Sequence, residues 1–529
     1  MSVEEGSPTE PASRSAQPSL GEAALEGVRW MGIARVVGDA AAFGGSVVLA
    51  RYVPPAEFGY AAAALGMAAI ASNFAASAFG APLIQFQTLR RAHVETAMLL
   101  SLAAGLACVV LAPIIAVVAV QPLLGTSIAD LFLLSIPMIA AAAAASVPKA
   151  LLQRALAFRT VAAIEAIALV GGTAISVLLA TVGGLDGAAI VLGLVGLHVL
   201  TLVLVLVYAP WTWPRWRGRA VARSLVGFGG SVGLASVLAT FSASIEYIVL
   251  SARMAPASVG FYWRAFMLGV TYPLKISNVT LSVALPVYSR AANADEMRRL
   301  RLRVMAVHAA ALFPVLVTIM VTAPVLVPWL FGPTWEPAVV PTQILAGAGM
   351  VAALVTGTWA YIIALGKPHY LPPMNLLVIV GLGGTAYFAA PLGLVGVCAC
   401  MLGFHVFFLG VNHFWLLHRV GGIARGDLFR DAFPPLVSCI PLAAAGLVTM
   451  HLAEAAGAAS VVVLAATVPI GVAAYAATLR LAFPRTWNSL LDVGRRVLAR
   501  RAPARRDVLP GRDDDGSRSD ARAYGPSAG

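Results

Sequence analysis

The chain has 529 residues, 60% of them hydrophobic and 11% charged, with a formal net charge of +12. Soluble chains run at about 45–50% apolar and roughly 25% charged, so this surplus needs lipid as its solvent and excludes an ordinary water-soluble domain. The basic residues form no groove interleaved with aromatic side chains, which argues against nucleic acid as a partner.

The first 28 residues, polar and acidic, read as a disordered cytoplasmic tail and not as a signal peptide. Runs of roughly 20 apolar residues then predict an all-α integral membrane protein of about fourteen transmembrane helices. The predicted spans are 30–52, 58–82, 94–120, 128–150, 160–182, 186–210, 224–251, 259–287, 304–330, 337–365, 370–390, 393–418, 432–452 and 457–481. Cys108, Cys398, Cys400 and Cys439 all fall in apolar runs without zinc-ligand spacing, so no metal and no cofactor is expected.

Connections on one side hold Arg90 and Arg91; Lys149, Arg154 and Arg159; Arg215, Arg217, Arg219 and Arg223; and Arg290, Arg298, Arg299, Arg301 and Arg303. Lys367, Arg419, Arg425 and Arg430 continue that side, while the opposite connections hold only Arg51 and Arg253. Positive loops stay inside, so both termini are expected in the cytoplasm. After the last span, "PRTWNSLLDVGRRVLARRAPARR" sets Leu490, Val493 and Val497 on one helical face among arginines. Either an interfacial helix held by anionic membrane lipid or a generic basic tail fits it, with a disordered end beyond.

"VVLARYVPPAEFGYAAAALG" (47–66) and "VLSARMAPASVGFYWRAFML" (249–268) share an outline. At an offset of 201 residues, Val48, Leu49, Pro55, Ala56 and Gly59 meet Val249, Leu250, Pro256, Ala257 and Gly260. Both copies form the outward turn after the first helix of a six-helix set. That predicts two pseudo-symmetric lobes related by an axis along the membrane normal. The expected organisation is a 29–222 N-lobe, a 223–420 C-lobe, two extra helices over 421–485 and a basic tail over 486–529. Locally, the prolines stop one helix, Glu57 favours the start of the next and Gly59 permits close packing.

"LARYVPPAEFGYAAAALGM" resembles the first corner of Wzx-type polysaccharide-biosynthesis flippases of the multidrug/oligosaccharidyl-lipid/polysaccharide exporter superfamily. "VGFYWRAFMLGVTYPLKISNVTLSVALPVYSRA" and "LVPWLFGPTWEPAVVPTQILA" are similar to later parts of that family, in the same order, over roughly residues 28 to 420. The "GFYWRAF" start departs from the family pattern and leaves the subfamily open. The resemblance implies two lobes around a central cavity and alternating access that flips undecaprenyl-diphosphate-linked glycan. A polysaccharide polymerase and glycosyltransferases would then be its pathway partners.

Charges inside spans cost about 2.5–3.5 kcal/mol each on insertion scales, so each needs a partner or a role. Arg35 and Asp39 lie one helical turn apart and can pair with each other. Arg264 and Lys275, eleven residues apart, fall on one face of an ideal helix, about 16 Å apart along its axis, with Tyr262, Tyr272 and Asn278 on the same helix. Two such cations fit a water-filled cavity gripping a lipid diphosphate. The substrate-binding candidates are therefore Arg264, Lys275, Arg35, Tyr272 and Asn278. The rival reading pairs the cations with Glu246 or Glu165. Asp39, Glu246 and Glu165 themselves suit either coupling to an ion (proton or sodium) or structural pairing. His198, His308 and His405, single in apolar runs, read as polar packing.

No catalytic residues are expected. An embedded polymerase would need paired carboxylates and a long external loop, and every outward connection is short. A multidrug or other amphiphile exporter of the same superfamily is the nearer rival. Its cavity would more often be acidic, whereas the excess here is basic.

Overall fold

A computed structural model describes residues 20–275, 288, 291 and 293–499. Among them every regular element is helical. Lipid permits little else, because a backbone amide without a partner costs several kcal/mol in hydrocarbon. Among the described residues eleven helical stretches are long and apolar enough to cross a membrane, so the protein is multi-pass. Three differences separate that number from the fourteen predicted spans. The stretch Pro368–Val420 holds two predicted spans in one run, the helix over span 30–52 is not among the eleven, and span 259–287 leaves the described residues after 275. Asn278 and the predicted disordered tails, apart from residues 20–28, lie outside the described residues.

In chain order the principal helices are α1 (Leu20–Tyr52), α2 (Pro55–Gln85), α3 (Arg91–Ile115), α4 (Ile136–Arg154), α5 (Phe158–Thr181) and α6 (Asp186–Tyr208). There follow α7 (Arg219–Ser242), α8 (Ile245–Arg253), α9 (Pro256–Phe266), α10 (Ala294–Phe331), α11 (Val339–Val355), α12 (Leu371–Ala389) and α13 (Gly393–Gly410). The last three are α14 (Asp427–Ala455), α15 (Ser460–Ala482) and α16 (Pro484–Ala499).

Helices of similar apolarity gain little from excluding lipid, so close contact must hold them together, and small residues provide it. In the first group α1 packs on α5, α5 on α6, and α4 on α2, α3 and α6. Gly38 and Gly45 of α1 receive the side chains of Leu169 and Thr173, and a Cβ on Gly172 would lie 2.7 Å from the Gly193 carbonyl oxygen. In the second group α11 packs on α9, α10 and α13, and α12 on α8 and α13. Helix α2 joins the groups by lying against both α7 and α9. Helices α14 and α15 pack on each other and on α10. The amphipathic α16 folds back so that Trp487 and Leu490 reach the cluster around Phe313, Tyr475 and Leu479. Part of its apolar face therefore meets protein.

The repeat is visible in the backbone. Pro55 and Pro256 each occupy the first position of their helix, where the missing N–H has no partner to lose. The preceding residues, Pro54 (φ −61°, ψ 149°) and Ala255 (φ −60°, ψ 141°), have the same extended conformation.

Candidate functional site

At the corner end the two copies interlock. A Cβ on Gly59 would collide with the carbonyl oxygen of Pro256, and a Cβ on Gly260 with that of Pro55. Each glycine thus receives the other corner's proline, a reciprocal contact of the kind a twofold axis makes. Around it, Trp335 is fully buried and donates its indole N–H to the Ala50 carbonyl at 2.7 Å. Arg51 donates to the carbonyls of Trp329 (2.6 Å) and Leu330 (3.0 Å), the last turn of α10 before Gly332 at φ 102°. A guanidinium at a helix C-terminus satisfies carbonyls that have no partner within the helix. Glu57 accepts the Gly187 N–H (3.2 Å) at the start of α6. The charged residues of this short turn therefore bind two other helix ends, the end of α10 and the start of α6.

Arg264 lies in the same place. It is 4% exposed, and its guanidinium carbon stands 4.4 Å from the Phe58 ring centre, 4.8 Å from Phe331 and 5.3 Å from Trp335. Its Nε and Nη2 have no hydrogen-bond partner among the described residues. The expected shared face with Lys275 is not found, because residues Met267–Thr271 between them form a π-helical turn. One extra residue in a turn rotates everything after it by on the order of 100°. Arg264 points into an aromatic cage and Lys275 elsewhere.

Lys275 reaches across to α1, where its Nζ lies 2.6 Å from Asp39 Oδ1. Arg35 approaches the other oxygen of Asp39 at 3.8 Å. Tyr272, one turn before Lys275, meets Phe43 edge-on (ring centres 5.2 Å apart) and its hydroxyl lies 3.3 Å from Ser46 Oγ. Arg35, Asp39, Tyr272 and Lys275 thus form one cluster where α1 meets the end of the described part of the α9 span. It contains two cations and one carboxylate, and all three charged side chains retain exposure (63%, 28% and 32%).

The rival reading, in which Arg264 and Lys275 pair with Glu246 or Glu165, is not what these contacts show. Glu165 pairs with Lys149 at 2.6 Å. Glu246 is 1% exposed beside Tyr247 and Tyr262, and its Oε2 has no hydrogen-bond partner among the described residues. His198 and His405 bond to carbonyls one turn back, of Leu194 (2.9 Å) and Met401 (2.8 Å), as polar packing residues do.

Several loop arginines and lysines also prove to be structural. Arg154 donates to the carbonyls of Leu83 (2.7 Å) and Phe86 (2.6 Å) at the end of α2. Arg301 is 4% exposed within α10 and donates to Thr358 at 3.3 Å, so it does not lie in an open connection. Lys149 lines a cavity of about 450 Å³ with Asn73, Ser77, Gln153, His198 and Ser236, contributed by α2, α4, α6 and α7. Sequence reading missed this polar pocket. Its signal was a set of single polar residues scattered over four spans, each ordinary by itself.

A family model described as "Polysaccharide biosynthesis protein" matches residues 48–340, more than half of the chain. An uncharacterized membrane protein from the cps region of Klebsiella pneumoniae is 26% identical over 302 residues, which is 56% of this chain and 61% of that protein. The match therefore spans about three-fifths of that relative's length. The lipopolysaccharide biosynthesis protein WzxC of Escherichia coli strain K12 is 26% identical over 346 residues, 64% of this chain and 69% of that one. Among solved structures, the lipid II flippase MurJ in an inward-closed conformation superposes with a TM-score of 0.66 at 12% identity, covering 86% of this chain and 98% of that one. An inward-facing multidrug-resistance MATE transporter gives 0.58 at 16% identity, covering 73% and 95%. At such identities the likeness shows the fold alone. The chain belongs to the polysaccharide biosynthesis protein family, with the fold of the multidrug/oligosaccharidyl-lipid/polysaccharide exporter superfamily.

Proposed function

We propose that the protein flips a polyprenyl-diphosphate-linked oligosaccharide across the cytoplasmic membrane by alternating access, supplying surface polysaccharide assembly. The observation that carries this reading is the Arg35–Asp39–Lys275 cluster. It lies between the two helix groups, keeps one net positive charge among the described residues and retains exposure on all three charged side chains. A membrane helix does not keep uncompensated charge without use. A diphosphate is the anion that would compete with Asp39 for both cations, through donors and charge together. The interlocked corner end then serves as the closed exit, and parting of Gly59 from Gly260 as its opening.

The test is transport of a fluorescent polyprenyl-diphosphate oligosaccharide by the full chain in liposomes. The double variant Arg35→Gln/Lys275→Gln, combined with Asp39→Asn so that no carboxylate is left unpaired, should reach the membrane in normal amount and lose at least tenfold in rate. Lys275→Arg should keep part of it, because charge survives while geometry changes. Absence of transport by the wild-type protein, or an undiminished rate in the combined variant, would overturn the reading.

A further inference from the structure

The connection between α6 and α7, residues 209–218, reads "APWTWPRWRG". Pro210 and Pro214 keep it out of helix, and it holds no regular secondary structure. Trp211, Trp213 and Trp216 are 47%, 70% and 53% exposed, and the first two rings meet edge to face at 5.3 Å. Arg215, Arg219 and Arg223 are exposed beside them.

This is not a loose loop. Glu95 at the start of α3 is 1% exposed and binds both Arg91 (2.8 Å) and Arg217, while the Arg215 N–H donates to the Glu95 carbonyl at 3.3 Å. One end of the connection is thereby tied to the first helix group, and the chain turns into α7 only at Gly218 (φ 108°). Three exposed indoles on a tethered connection would be a poor surface in water. They suit the boundary between acyl chains and headgroups, where an apolar ring with one N–H is at home. The position agrees. Tyr208 ends a 23-residue helix long and apolar enough to span, and Trp211 follows three residues later, within about 10 Å of that end.

We propose that residues 209–223 dock on the anionic phospholipid surface of the leaflet at the basic end. The indoles enter the headgroup boundary and Arg215, Arg219 and Arg223 contact lipid phosphates. Arg217 is occupied by Glu95 and takes no part. The charge of the connection selects anionic lipid over a neutral surface, and the closeness of the helix end selects a membrane over a soluble partner. The proposal is independent of what the protein carries.

The experiment compares the full-length protein with Trp211→Phe/Trp213→Phe/Trp216→Phe in vesicles of phosphatidylcholine alone and of phosphatidylcholine with phosphatidylglycerol. In each, a fraction of the phosphatidylcholine is brominated near the headgroup end of its chains. The difference between the two proteins isolates the emission of the three indoles. That emission should fall at least twofold with brominated lipid, more so in the anionic vesicles, and added inorganic phosphate should not restore it. Arg215→Gln/Arg219→Gln/Arg223→Gln should abolish the advantage of the anionic vesicles. If the triple tryptophan variant does not fold, Trp213→Phe gives the same difference for the most exposed ring. Indoles that stay unquenched, quenching equal in neutral and anionic vesicles, or shielding that appears only when a soluble protein is added would each overturn the proposal.

Discussion

The two corners share a sequence outline but not a set of partners. In both, proline opens the helix and glycine lies four residues later, and the two glycine–proline contacts are mirror uses of one motif. Their arginines differ. Arg51 crosses to the carbonyls of Trp329 and Leu330 in the other helix group. Arg253 stays in its own group and stands 4.4 Å over the ring of Tyr387. The repeated residues make the symmetric contact, and the unrepeated ones decide which helices each corner holds. A repeat can therefore conserve a joint while leaving each side free to acquire its own latch.

The strongest way to break the symmetric part is Gly59→Val or Gly260→Val. Either puts a branched side chain where the opposite proline carbonyl sits, an overpacking that costs typically 1–3 kcal/mol. Both variants should populate a parted corner end. Cysteines introduced near the two turns should then cross-link several-fold less than in the parent, and equal loss from the two variants is the signature of reciprocity. Loss from only one would show that the corners do not act as a pair.

A comparable loss of stability, without the reciprocal signature, is expected from the bridge that Trp335 makes. Trp335→Phe leaves the buried Ala50 carbonyl without its donor, worth about 1–3 kcal/mol, and should lower the melting temperature of the detergent-solubilised protein. Arg264→Met in the same cage should go the other way or stay neutral. It removes a buried cation without hydrogen bonds on Nε and Nη2 while keeping an unbranched apolar stem. A large destabilisation by Arg264→Met would mean that the three rings hold the guanidinium more strongly than ring contacts usually do.

The smallest and sharpest comparison is Arg51→Ala against Arg253→Ala. Both side chains are exposed, so each loss should be no more than about 1 kcal/mol. Only Arg51→Ala should loosen the cross-link between the corners, because only Arg51 spans the two groups. Equal loosening would remove the distinction drawn between the corners.

Much of the molecule was legible in the chain. The apolar runs set the helices because hydrocarbon rewards nothing else. The repeat at an offset of 201 residues set the paired corners, since proline and glycine impose backbone geometry through local sterics. Asp39 and Arg35 were legible as neighbours, being one turn apart. Lys275 was legible as a cation needing an answer, but its partner was not, because that answer lies 236 residues away on α1. The place of Arg264 was hidden for a different reason. The π-helical turn at Met267–Thr271 lies against α11, where a Cβ on Gly269 would lie 2.7 Å from the Ala346 nitrogen, and no residue pattern announced it. Loop arginines misled for a third reason. Counting charge assigns a side of the membrane, yet whether Arg154 caps a helix or Arg301 is buried depends on which carbonyl or hydroxyl arrives beside it. Local sterics and hydrophobicity act within a few residues, so the sequence by itself determined the helices, the turns and the repeat. Charge pairing and close packing act across space between segments far apart in the chain, so only the tertiary structure decided which charges met and which helices the two corners joined.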